Sequence, residues 1–213
     1  MLSHRRREIG LAAVLAGVAG AVDAIGFLSL GGFFVSFMSG NTTRAGAALT
    51  AGDLTDLVLA GGLIASFVAG VIAGSLVGHT ATGNRRAAVL GLVAVLLAAS
   101  FALSVPTTTA PAAPPLLAGA MGAVNAVFET NGEVRIAVTY MTGTLVKMGQ
   151  NIAHRLTHTN HPRIWPRYAA LWASMAAGAC LGGGAYQIIG LASVAGAAAL
   201  TALAAIGVRL LHL

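Results

Sequence analysis

The chain has 213 residues, 57% of them hydrophobic and only 8% charged, with a mean hydropathy of +0.84. Soluble domains carry about 25% charged residues, so this composition excludes a water-covered globular surface and points to an integral membrane protein. The net charge of +6 lies mainly in short clusters between apolar runs, without the aromatic-studded basic stripe of a nucleic-acid reader, and the single cysteine, Cys180, excludes an internal disulfide.

The first apolar run, residues 9–30, follows Arg5, Arg6 and Arg7. Its basic, apolar, small-residue order is that of a secretory signal. However, its "GVAGAVDA" returns deep in the chain as "GAMGAVNA", so a retained span is expected. Asp23 lies within it, where an aspartate costs about 2.5–3.5 kcal/mol at the bilayer centre and is a functional candidate by default. Residues 31–52 form an interrupted stretch holding "FVSFMSGNTTRAG". After Met38, its Ser39, Gly40, Asn41 and Thr42 suggest a helix break, with glycine allowing unusual backbone angles and the polar side chains serving freed peptide groups. Arg44 follows one turn later, as a partner for Asp23, an anion ligand or a snorkelling interfacial side chain.

Apolar runs at 55–79 and 87–105 flank Arg85 and Arg86, and the uncharged "PTTTAPAAPP" separates them from a short run at 113–130 that contains Asn125. Glu129, Glu133 and Arg135 cluster in "FETNGEVR", as coupling carboxylates or as a loop at the water interface. A second interrupted stretch, 131–153, carries "VTYMTGTLVKMG", with Met141, Thr142, Gly143, Thr144 and then Lys147. The basic "HRLTHTNHPRIWPR" follows. Its His154, His158 and His161 have no cysteine or carboxylate beside them, so a loop near anionic headgroups is expected and a metal site is not. Runs at 167–189 and 191–211 close the chain, and all six prolines lie at the edges of the runs or outside them.

An internal repeat organises these pieces. Gly17–Ala24 matches Gly119–Ala126 at an offset of 102, and Met38-Ser39-Gly40 matches Met141-Thr142-Gly143 at 103, with Arg44 over Lys147. Ser66 onward matches Ser174 onward at 108, which aligns Gly70 and Gly74 with Gly178 and Gly182, small-residue positions of close helix packing. Each half, 9–105 and 113–211, holds three spanning runs and one interrupted stretch. Three is odd, so the second copy starts from the opposite side of the membrane. The expected fold is therefore all-α: one polytopic membrane domain over 1–213, about six transmembrane helices as a 3+3 inverted repeat, each half with one broken or re-entrant helix. If the interrupted stretches do not cross, nine of the twelve cations fall on the cytoplasmic side together with both termini.

The stretch "DAIGFLSLGGFFVSFMSGNTTRAG", with its weaker partner "MTGTLVKMG", resembles the YoaK-like bacterial membrane proteins, a domain-of-unknown-function family. The resemblance spans nearly the whole chain and implies a multi-span inner-membrane protein; it implies no activity.

From the residues, the expectation is a small secondary transporter or channel-like permease. Asp23, Asn125, the two polar knots, Arg44 and Lys147 would line a pathway between the halves. The alternative is a non-transporting scaffold or partner-binding subunit in which the polar residues act as helix glue. No Walker loop, metalloprotease helix or nucleophile elbow occurs, so neither an enzyme nor a cofactor is expected; the partners are the bilayer, an unknown small solute or ion, and a second copy of the chain.

Overall fold

The computed structural model describes residues 2–105, 112–130, 133–134, 138–157 and 162–211. Arg135, His158 and His161 lie outside these residues, and Glu133 is described in its backbone alone. Among the described residues, eight α-helices follow in chain order: α1 (Leu2–Ser29), α2 (Met38–Ala51), α3 (Leu54–Thr80), α4 (Arg85–Ser104), α5 (Ala113–Ala123), α6 (Met141–Thr157), α7 (Trp165–Ile189) and α8 (Val194–Leu210). The only strands among the described residues are a two-residue antiparallel pair, β1 (Glu129–Thr130) and β2 (Glu133–Val134).

Among the described residues, four stretches are long and apolar enough to cross a membrane: Arg7–Ser29, Leu54–Thr80, Arg85–Ser104 and Trp165–Leu210. The last contains both α7 and α8, separated by a 3₁₀ turn at Gly190–Ser193 whose Gly190 has a φ of +59°. The chain is thus an all-helical, multi-pass membrane protein. Ala113–Phe128 is shorter: α5 gives way to a 3₁₀ segment, Val124–Phe128. At 1.5 Å per α residue and 2.0 Å per 3₁₀ residue it extends about 27 Å, close to the thickness of a hydrocarbon core.

Local chemistry sets the helix ends. Asp53 caps α3 by accepting N–H bonds from Thr55 and Asp56, and Asn84 caps α4 through the N–H of Ala87. Gly52, in the left-handed region, returns its N–H to the closing carbonyls of α2, and Pro166 stands in the opening turn of α7.

Most of the extensive helix contacts have a counterpart in the other half, although α5 also packs broadly on α4 while the counterpart pair, α1 and α8, touches less. α1 packs on α7, and α3 packs on α5; α4 and α8 pack together; α2 lies against α3, and α6 against α7. At the first crossing Gly178 meets the Gly17 backbone and Gly182 meets Ala21. At the second, Gly70 meets Gly119 and Gly74 meets Ala123. Contacts advance in the same sense along both members, so α1 runs parallel to α7 and α3 parallel to α5.

Side-chain ties fix the remaining directions. Arg86 reaches Glu8 at 2.6 Å, Asn84 Nδ2 donates to the Val208 carbonyl at 3.2 Å, and the Ser75 hydroxyl donates to Glu129 at 2.7 Å. The starts of α1 and α4 therefore share one end of the bundle with the ends of α3, α5 and α8. Both interrupted stretches consequently return to the end of the bundle that they left.

Candidate functional site

Asp23 sits six residues before the end of α1, about 9 Å along its axis. Beyond Ser29 the chain turns sharply: Gly31 and Gly32 have φ of +65° and +99°, and the Gly32 N–H returns to the Phe27 carbonyl at 2.8 Å. The segment then doubles back along the helix, so that Asp23 Oδ1 accepts N–H bonds from Val35 at 2.9 Å and Ser36 at 2.8 Å. Asp23 is only 8% exposed, and these charge-assisted bonds offset part of its desolvation.

Asn41 supplies the second grip. It is fully buried; its Oδ1 accepts from the Phe34 N–H at 3.0 Å and its Nδ2 donates to the Phe34 carbonyl at 2.6 Å. One side chain thereby satisfies both main-chain groups of an irregular residue, as a strand partner would.

The helix-break reading of Ser39–Thr42 requires correction. These residues form the opening turns of α2, and Thr144 with its neighbours opens α6. Thr42 and Thr43 turn their hydroxyls onto the carbonyls of Met38 and Ser39, at 2.9 and 3.1 Å, which lets them stay helical. The break is Leu30–Phe37, N-terminal to the knot. The shared glycine provides room: Gly40 lies under the Phe37 and Phe34 rings, and its mate Gly143 lies under the Tyr140 ring.

Repeat two reproduces this design with weaker chemistry. Asn125, 8% exposed, accepts a hydrogen bond from the Thr139 hydroxyl at 3.1 Å just before α6 begins at Met141. Thr139 is the repeat-mate of Ser36, so each half brings a returning segment to the same position on its first helix. Thr144 stands at the position of Asn41; its hydroxyl meets the Tyr140 carbonyl at 3.5 Å, the outer limit of a hydrogen bond.

Arg44 partners the turn after α1 and leaves Asp23 to the backbone. Its Nη1 donates to the Gly32 carbonyl at 2.9 Å, its guanidinium lies 4.0 Å from the Phe33 ring centre, and Asp56 is 3.6 Å away. Ser39, Thr42, Thr142 and Lys147 are exposed on α2 and α6. Those two helices do not pack on one another, so the structure brings Asp23, Met38, Gly40 and Asn41 together at one end, and Asn125, Met141 and Gly143 together at the other. A single face-to-face meeting of the two knots is not what the packing forms.

Glu129 belongs to neither group. Its side chain is 7% exposed and gathers Ser75, His79 at 3.3 Å and Arg85 at 3.0 Å, the last as an ion contact without the alignment of a hydrogen bond. Its partners stand in the closing turns of α3 and the first turn of α4, so the carboxylate sits at the end of the bundle among α3, α4 and the end of α5.

Sequence reasoning missed Asn151. This buried amide on α6 accepts from the N–H groups of Ile164 at 3.1 Å and Trp165 at 2.8 Å, and donates to the Pro162 carbonyl at 3.1 Å. It closes the α6–α7 connection and caps α7 from a distance. The available signal was an asparagine one helical turn before a basic loop with two prolines.

Comparison with known proteins places residues 11–207 in a family described as protein of unknown function (DUF1275). A UPF0700 transmembrane protein of Rhizobium meliloti (strain 1021) is 38% identical over 184 residues, covering 85% of this chain and 78% of the relative. No solved structure matches. The chain belongs to the DUF1275 family of transmembrane proteins.

Proposed function

We propose that this member of the family is a small permease or secondary transporter of the bacterial inner membrane, built as a 3+3 inverted repeat. In this reading α1, α3 and α4 cross in one half and α5, α7 and α8 cross in the other. α2 and α6 are the re-entrant helices, entering from opposite faces. The support is directional: α1 parallels α7, α3 parallels α5, and α1 and α3 run oppositely because Glu8 and Glu129 both gather at the α4 start. α1 and its copy α5 are then antiparallel, as an inverted pair requires. The clusters Arg85–Arg86 and Arg155–Arg167, with Arg209, fall at the same end as the N-terminus, which orients that end to the cytoplasm.

The observation that carries the functional reading is the doubled polar niche. A buried carboxylate at the outer end and a buried amide at the inner end hold equivalent returning segments, so a path along α1 and α5 meets one polar group from each side. Irregular backbone at membrane depth is tolerated where protein or an aqueous cavity serves it, and here Asp23 and Asn41 serve it on one side. The carboxylate stands in one copy alone, which makes Asp23 the group that distinguishes a cation or proton from a neutral solute.

The test is a flux measurement in vesicles containing the purified protein, loaded in turn with protons, alkali cations and small metabolites. Asp23→Asn retains an acceptor for Val35 and Ser36 but removes the charge, so flux falls at least tenfold while the melting temperature holds. Unchanged flux in the variant removes Asp23 from the pathway. A second reading, a non-transporting scaffold, draws on the spending of Asp23 Oδ1 on the protein's own N–H groups. It predicts no flux for any solute and a loss of partner assembly in Gly40→Ala.

A further inference from the structure

The two returning segments differ in one hydroxyl. In repeat two the Thr139 hydroxyl donates to Asn125 Oδ1 at 3.1 Å, and Asn125 Nδ2 donates to the Met121 carbonyl at 3.0 Å, so the niche satisfies itself. In repeat one the corresponding Ser36 is 4% exposed, and its Oγ is buried with no hydrogen-bond partner. That hydroxyl lies against the Asp23 carboxylate but is not aligned for a hydrogen bond. Both aligned N–H donors, from Val35 and Ser36, fall on Asp23 Oδ1 and leave Oδ2 without one. A buried hydroxyl and the second oxygen of a buried carboxylate thus share one niche, each lacking the partner that burial demands.

The number of these groups decides what fits there. A hard metal cation takes about six or more oxygen ligands. This niche offers two side-chain oxygens, Asp23 Oδ2 and Ser36 Oγ, and its main chain presents N–H donors. Among the described residues, no three histidine, cysteine, aspartate or glutamate side chains gather as a metal site. A proton needs only one oxygen to hold it and one acceptor. Placed on Asp23 Oδ2 it is donated to Ser36 Oγ, while Oδ1 keeps both main-chain bonds. When it leaves, the hydroxyl rotates and donates to Oδ2 instead. No other bond forms or breaks. Asn125 has no such second state, and beside it the hydroxyl is already engaged.

We infer that Asp23 and Ser36 together form a proton-binding site, which, resting on the permease reading, makes the carrier proton-coupled. Among the described residues, the elements packed on α1 bring few other titratable groups to this level. α5 and the Gly190–Ser193 turn have none. α7 passes with Gly182 and Gly183, carries Tyr186 one turn further on, and leaves Cys180 exposed. Arg167 and Tyr168 at the start of α7, and Arg209 at the end of α8, stand at the opposite end of the bundle. Arg44 is held by the Gly32 carbonyl and Asp56.

The experiment is infrared difference spectroscopy of the full-length protein in lipid vesicles as the pH is stepped, with Asp23→Asn, Ser36→Ala and Ser36→Thr alongside. Wild type should show a carboxylic-acid carbonyl band that grows toward acid pH and is missing in Asp23→Asn. Ser36→Ala, with no acceptor for the acid proton, should move that band to higher frequency; Ser36→Thr, which keeps the hydroxyl, should restore its position. Should Asp23→Asn fail to fold, the shift between the two Ser36 variants assigns the band alone. Absence of any such band, or a band that Ser36→Ala leaves in place, would overturn the proposal. So would thermal stabilisation of wild type by sodium chloride over choline chloride at equal ionic strength, if Asp23→Asn abolished it, because the ligand would then be a metal cation. The band is read without any flux. Its absence in vesicles that transport overturns the proton site and spares the permease, whereas its presence in protein that transports nothing keeps the site and overturns the coupling.

Discussion

The glycine crossings offer the sharpest test of the fold. A Cβ at Gly178 would fall on the carbonyl, carbonyl carbon and Cα of Gly17, all backbone atoms that cannot rotate away. Forcing a methylene into such a contact costs about 1–3 kcal/mol, and a rigid backbone target puts it near the top of that range. Against this, alanine gains about 1 kcal/mol of helix propensity over glycine. Gly178→Ala should therefore lose about 2 kcal/mol. Gly184, six residues on in the same helix, has nothing within 4 Å of its hypothetical Cβ; Gly184→Ala keeps the propensity gain and should stabilise by up to about 1 kcal/mol. The gap of roughly 3 kcal/mol is read from unfolding in mixed micelles titrated with sodium dodecyl sulfate and followed by circular dichroism. In repeat one Gly70 meets Gly119 while Gly61 faces open space, so Gly70→Ala against Gly61→Ala should show the same gap. If the alanines at 178 and 184 behave alike, the two helices do not cross at the glycines.

Two further outcomes follow from the polar contacts. Asn41→Ala strips both partners from the Phe34 main chain and should destabilise by about 2–3 kcal/mol, whereas Thr144→Ala, which loses only a marginal hydroxyl contact, should stay within about 0.5 kcal/mol of wild type; melting curves of the two variants check the contrast. Glu129→Gln leaves Arg85 without its carboxylate in a largely buried setting and should cost about 2 kcal/mol with little dependence on salt. Glu8→Gln, at a more open pair with Arg86, should cost under about 1 kcal/mol and should approach zero at high ionic strength.

How much of this was legible in the residues depends on whether a feature is local or needs a distant partner. The offset between Gly17 and Gly119, and that between Gly70 and Gly178, survive as a matched pair of crossings because close helix approach demands small residues at fixed intervals, and such intervals persist in a linear sequence. Glu129 was visible only as a charge, since its partner Ser75 is 54 residues away and nothing nearby distinguishes a pocket among three helices from a wet loop. The polar knot was misread for a more instructive reason. A glycine between serine and asparagine was taken as a supply of backbone freedom, and that freedom is used eight and nine residues earlier, at Gly32 and Gly31. Gly40 is helical and is small because the Phe37 ring folds over it. The same requirement in repeat two, Gly143 under Tyr140, explains why the glycine of the knot is shared while the polar residues around it drift from Asn41 to Thr144. Space for a ring three residues back is a constraint on one atom, whereas the grip on the returning chain can be made by a carboxylate, an amide or a hydroxyl.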